Sequence, residues 1–253
     1  MNKDIIFLTP VCTHNIWGGT RLNREFGYPI EGDDIGECWG ISAHPNPELF
    51  GDTGMDRFPL LVKIIDAKDD LSIQVHPDDA YAKAHENGSL GKTECWFILD
   101  CKENATLVVG HNAKTKEELE QMIHEGRWKE FIREIPIKPG DFIQIDPGTV
   151  HAIKGGTLLL ETQQSSDITY RVYDYDRLSN GKPRQLHIVQ SIDVITVPAK
   201  SADNSVVHIE KKDDAIQQLI QCPYYTVYRI DVEHRVETWQ DKPFALMSVV
   251  EGE

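Results

Sequence analysis

The amino-acid sequence predicts a mostly β protein, an antiparallel barrel or sandwich carrying one clear helical insertion. Three observations point there. Short apolar runs of strand length recur along the chain, and Gly, Pro, Asn and Asp clusters separate them. One segment changes to a helical period behind a capping pattern. No repeat at a fixed period and no low-complexity segment suggests a solenoid or a tail.

Residues 1–60 are rich in turn formers, in IWGGTRL, FGYPIEGDDIGECWG and AHPNPELFGDTG, and read as short extended pieces within irregular loops. Strand candidates follow: FPLLVKII and LSIQVH across the polar turn DAKDD, then CWFILDC and ATLVVGH. The helix is expected from Thr115 over about 115–132, with Thr115 as N-cap and Glu118 three residues on. Leu119, Met122 and Ile123 make its apolar stripe, extended by Phe131 and Ile132, and Gly126 is placed to split it in two. Strands resume in FIQID, HAI, TLLLETQ and YRVYDYD, the last followed by the hairpin signal SNGK. RQLHIVQSI has the length of one more short helix, VPAKSADN reads as a polar linker, and YYTVYRIDV and FALMSVVEG alternate like further strands.

The 253 residues, 40% hydrophobic and 26% charged, suit a globular chain with a real core. No stretch approaches the ~20 apolar residues of a membrane span, and the opening MNKDIIFLTPVC lacks the apolar length of a signal peptide. Five scattered cysteines with no CxxC pair predict small buried hydrophobes and no disulfide framework, so a reducing, cytoplasmic setting is expected. The net charge of −15 excludes a nucleic-acid partner, which needs a basic stripe. An anionic substrate would need a local cluster of Lys and Arg.

Three segments could carry chemistry. In LSIQVHPDD, Gln74 and His76 stand two apart and share one face of an apolar strand. Burial without partners would cost about 2–7 kcal/mol for each, so the pair needs either a hydrogen-bond partner or a metal. In GKTECW, Lys92 and Glu94 are also two apart, the spacing of an ordinary surface ion pair when met alone. In PGDFIQIDPGTVHAI a Pro-Gly turn delivers His151, a common ligand position in cupin-type barrels. Asp146 stands where a strict cupin pattern has proline, and a satisfied core histidine is the plain alternative. Together the segments supply two His, one Glu and one amide oxygen, a donor set that suits Zn²⁺ and leaves a position for substrate. Downstream, ETQQSSDITYRVYDYDR puts Glu161, Arg171 and Arg177 in an otherwise apolar or aromatic stretch, as an inward-facing polar surface would.

Read in order, FLTPV, IWGGTRL, GECWGISAHP, FPLLVKIIDAKDDLSIQVHPDD, LGKTECW, KPGDFIQIDPGTVHAI, LLLETQQSSDITYRVYDYDR and RQLH resemble the type I phosphomannose isomerases, from about residue 6 to about residue 198. The resemblance implies a cupin-type catalytic domain over 1–198 and a second β domain beginning near 203. That second domain is expected to be incomplete over 203–253, because the family pattern continues past VVEG. It implies one zinc per chain on Gln74, His76, Glu94 and His151. It further implies Arg171 as an active-site residue, Glu161 and Lys92 lining the site, and Lys63 and Ser72 at the substrate's phosphate, with Arg177 beside them. The activity implied is interconversion of mannose 6-phosphate and fructose 6-phosphate through an enediol, with Glu161 as first candidate for the proton shuttle. One departure is a segment shortened between HPNPELFG and MDRFP. Two other readings stay open from the residues alone. One is an iron-dependent cupin oxygenase, which would leave the Lys and Arg positions without a role. The other is a sugar-phosphate-binding module without catalysis.

Overall fold

The computed structural model describes residues 5, 7–41, 58–207, 215–239 and 241–252. The AHPNPELFGDTG stretch, which contains the shortened segment, lies outside them. The chain divides into two units, Met1–Val207 and His208–Glu253, each described by itself.

In the first unit the strands are β1 (Val11–Gly19), β2 (Ile35–Ile41), β3 (Leu60–Ala67), β4 (Ile73–Val75), β5 (Glu94–Cys101), β6 (Thr106–His111), β7 (Ile132–Pro136), β8 (Phe142–Ile145), β9 (His151–Ala152), β10 (Thr157–Gln164), β11 (Tyr170–Tyr173), β12 (Leu178–Ser179), β13 (Lys182–Pro183) and β14 (Val206–Val207). One sheet runs β1-β2-β3-β10-β5-β8-β14 and the other β11-β4-β9-β6-β7. Ile65, Trp96, Ile98, Ile143, Ile145 and Leu159 of the larger sheet pack with Leu107, Val109 and Ile135 of the smaller. The two sheets therefore face each other over one apolar interior, the arrangement of a cupin-type barrel. β12 and β13 form the expected SNGK hairpin, with Asn180 and Gly181 at positive φ (53° and 75°) as a two-residue turn requires.

The outer face of the smaller sheet is covered by helices. α3 (Lys116–His124) starts where expected, with Thr115 as N-cap accepting from the Glu118 backbone N–H at 3.2 Å. The Glu118 carboxylate accepts from the Lys114 N–H at 2.6 Å. Gly126, at φ +64°, ends it before α4 (Trp128–Phe131). Leu119, Met122, Ile123 and Phe131 pack on Ile73, Val75, Val108, Ala152 and Val172. α5 (Ile188–Val194) joins this layer, in the RQLHIVQSI segment. α2 (Asp79–His85) follows β4, and α1 (Arg21–Arg24) follows β1.

Several expectations are corrected. Residues 11–41 hold a nine-residue and a seven-residue strand rather than short pieces in loops. Turn residues between them masked a pairing with β3 that only the sheet supplies. The cysteines are not all unpaired. Cys12 and Cys38 are joined as a disulfide because the β1–β2 register sets them directly opposite, while Cys95, Cys101 and Cys222 take part in no disulfide. VPAKSADN is no plain linker: it holds a 3-10 turn at Ala202–Asn204 and leads into β14, which pairs with β8.

The second unit has the antiparallel pair β15 (Ile216–Gln221) and β16 (Thr226–Ile230); β16 lies in the expected YYTVYRIDV segment, and β15 precedes it in a stretch where no strand was expected. FALMSVVEG forms no strand, and Met247 and Val249 are 80% and 70% exposed. Alternation alone cannot make a strand without an edge to pair with.

Candidate active site and metal centre

Successive side chains of a strand alternate between faces, and the inward set here changes character along each strand of the larger sheet. Leu61, Gln163, Glu94 and Ile145 form one row across β3, β10, β5 and β8. Trp39, Lys63, Glu161 and Trp96 form the next, across β2, β3, β10 and β5. From the smaller sheet, Gln74 pairs with His151 on one side and Arg171 on the other.

These two walls bring His76, Glu94 and His151 together, their ligand atoms within 4.8 Å of one another and all three side chains buried. The His76 Nδ1–H donates to the Ile168 carbonyl at 2.8 Å, and the His151 Nδ1–H to the Thr149 carbonyl at 2.8 Å. Both Nε2 atoms are thereby left unprotonated, as lone-pair acceptors. They point at the Glu94 carboxylate, 3.4 Å to Oε2 from His76 and 3.3 Å to Oε1 from His151. Among the described residues, His76 Nε2 and both Glu94 oxygens have no hydrogen-bond partner, and Lys92 meets Glu94 only as a charge contact at 2.9 Å. Protonation of the imidazoles does not relieve this. Burial, aided by repulsion from Lys92, pushes His76 down to about 3 against the pull of Glu94. Burial also lowers His151. Burial would raise Glu94, but the charge of Lys92 foremost outweighs it and holds the carboxyl well below its usual range. Two neutral imidazoles and a carboxylate, lone pair to lone pair, fit a divalent cation between them.

Gln74 lies at the edge of this centre. Its amide nitrogen is 3.3 Å from His151 Nε2 and its Oε1 accepts from Ser72 Oγ at 3.4 Å. To offer oxygen to a cation the amide has to turn over. Glu161 is buried, with Oε1 3.1 Å from Lys63 Nζ and Oε2 accepting from the Trp96 indole at 2.8 Å. Burial, with Glu94 near, raises its pKa despite Lys63 and Lys92. Arg171 donates from Nη1 to the Gln185 carbonyl at 2.9 Å, and its Nε has no hydrogen-bond partner among the described residues. Arg177 is set apart from the centre, bonded to Asp174 and to the Asp70 carbonyl in the turn that leads to Ser72.

Sequence reasoning passed over Glu37, which reaches Lys63 Nζ at 3.3 Å and accepts from the Trp39 indole at 2.7 Å. It also passed over Arg184, paired twice with Asp174.

Facing antiparallel sheets around a buried two-histidine, one-carboxylate cluster with the donor set to hold a metal ion define a protein of the cupin class. Residues 46–98 match the family described as phosphomannose isomerase type I, catalytic domain. All of the chain aligns with 87% of mannose-6-phosphate isomerase ManA of Bacillus subtilis at 48% identity. A mannose-6-phosphate isomerase of Streptococcus mutans is 45% identical over 98% of this chain and 85% of its own length. The crystal structure of the mannose 6-phosphate isomerase from Bacillus subtilis superposes with a TM-score of 0.85 at 47% identity, covering 94% of this chain and 83% of that one. The chain belongs to the type I phosphomannose isomerase family.

Proposed function

We propose that the protein interconverts mannose 6-phosphate and fructose 6-phosphate with a zinc ion held by His76, Glu94 and His151. The single observation that carries this reading is the pair of bare Nε2 atoms facing a buried carboxylate, in a chain 45–48% identical along its length to mannose-6-phosphate isomerases. Gln74, turned to present Oε1, is the candidate fourth ligand.

The reaction moves the C2 proton of the open-chain sugar to C1 through an enediol, with a compensating proton exchange between O1 and O2. When bound, the zinc supplies Lewis acidity toward these two oxygens. Glu161, whose carboxyl burial makes easier to protonate, takes and returns the carbon-bound proton. Arg171, with an unpartnered Nε, steadies the charge that develops on the sugar oxygens. Lys92 holds Glu94 ionised and in place. Ser72 and Arg177, joined through the 70–72 turn, stand at one end of this wall and suit the phosphate.

A coupled assay of mannose 6-phosphate conversion, with and without a chelator, tests the reading. Turnover lost to the chelator and restored by zinc supports it. An active preparation that contains no bound metal overturns it.

A further inference from the structure

We infer that Glu37 is a positioning residue that sets Lys63 against Glu161, so that Lys63 serves the proton-transfer carboxylate and not the substrate's phosphate. The inference rests on the isomerase reading above and concerns the same site. Lys63 Nζ lies between two carboxylate oxygens, 3.1 Å from Glu161 Oε1 and 3.3 Å from Glu37 Oε1. The second oxygen of each carboxylate is occupied by an indole N–H, Trp96 on Glu161 at 2.8 Å and Trp39 on Glu37 at 2.7 Å. Both carboxylates are therefore held with one oxygen turned to the ammonium. Burial works against the charge on Lys63, but Glu161 and Glu37 outweigh it and raise its pKa above the usual range.

Among the described residues, the charged groups facing this trio are Glu94 and Lys92, from β5 and the turn before it, and those two are already paired with each other. Two carboxylates on one ammonium leave the pocket negative, and a phosphate dianion there would face three carboxylates. Around Asp174 the balance is opposite: Arg177 and Arg184 both pair with that one carboxylate, and Arg171 stands close enough to feel all three. Shared with Glu37, Lys63 only partly neutralises Glu161, which keeps its ability to accept a proton. With the charge of Glu37 removed, Lys63 would belong to Glu161 alone and weaken it as a base.

The test is steady-state kinetics of Glu37→Gln, Lys63→Met and the double variant in the zinc-loaded enzyme, with rates expressed per bound metal and with inorganic phosphate as competitor. In Glu37→Gln, kcat is expected to fall about tenfold or more, while KM and the phosphate inhibition constant stay within about twofold of wild type. The double variant should be no slower than Lys63→Met, because Glu37 acts through Lys63. A merely structural role would lower the metal content and leave the rate per metal unchanged, which overturns the inference. So would a rise in KM and in the phosphate constant with kcat intact, wild-type kinetics in Glu37→Gln, or additive losses in the double variant. Should Glu37→Gln not fold, Glu37→Asp, which keeps the charge but draws it back from Lys63, should show the same split with a smaller fall. Wild-type kinetics in that variant would then overturn the proposal. A wild-type enzyme without turnover would instead strike the isomerase reading itself.

Discussion

The two ends of the barrel interior are built by the same strands and differ in what they hold. Along β10 the inward residues run Gln163, Glu161, Leu159, and along β5 Glu94, Trp96, Ile98. At one end they join Lys63, Lys92, His76 and His151, and at the other Ile65, Leu107, Val109 and Ile143. A shift of two residues along a strand passes from chemistry to core. The polar end is a liability for folding, since every buried charge there needs a partner. The apolar end supplies hydrophobic burial that offsets it.

Breaking the polar end should give the largest effect. His76→Ala or His151→Ala should remove most of the metal and with it the activity, since a centre with a missing ligand does not hold zinc tightly. Elemental analysis showing wild-type zinc in either variant would mean that the ligands are misassigned. Arg171→Ala should cost roughly a hundredfold or more in kcat. Zinc content and Tm should stay at their wild-type values, because Arg171 is no ligand and its bonds are to the 185–187 loop. A lowered Tm with normal turnover would show that it only braces the wall.

Breaking the apolar end should reverse the pattern. Leu159→Ala should destabilise the fold by about 2–5 kcal/mol in denaturant melts, and the protein that remains folded should turn over normally. A lost kcat without lost stability would contradict the division between the two ends. Acid sharpens the contrast in metal-stripped protein. His76 sits at about 3 against an ordinary 6.5, and His151 is lowered too, so both stay neutral in the fold while the unfolded chain takes up protons. Their stability contribution is complete above about pH 6.5 and is lost as the pH falls from there toward 3. Tm should therefore decline between pH 7 and pH 5, and a flat profile would count against neutral, buried imidazoles. The smallest effect belongs to the outer layer. Thr115→Ala removes the N-cap of α3 and should cost about 1 kcal/mol with kcat unchanged, since α3 covers the sheet's outer face.

Local signals were the legible ones. The cap at Thr115, the split at Gly126 and the SNGK hairpin depend on φ preferences and on hydrogen bonds within a few residues, and they are present in the protein. Gln74 and His76 stood out because polar residues in an apolar strand need a reason to be there, whereas Glu94 alone read as a surface ion pair and the family resemblance joined it to His76 and His151. Glu37 was not, because its partner Lys63 is 26 residues away and the β2–β3 register alone brings them together. The Cys12–Cys38 pairing was missed for the same reason, and the strand expected in FALMSVVEG failed for the converse one, a pattern without a partner.

By itself the sequence determined the fold class, the capped helix, the residue types gathered at the candidate metal centre and the family. These follow from side-chain period, backbone preference and residue chemistry, which act over a few positions. Only the tertiary structure decided which carboxylate faces which imidazole, that Lys63 lies between Glu37 and Glu161, and that Arg177 is tied to Asp174. Those outcomes depend on cross-strand register and on contacts between the two sheets. A buried charge takes its meaning from its neighbours in space.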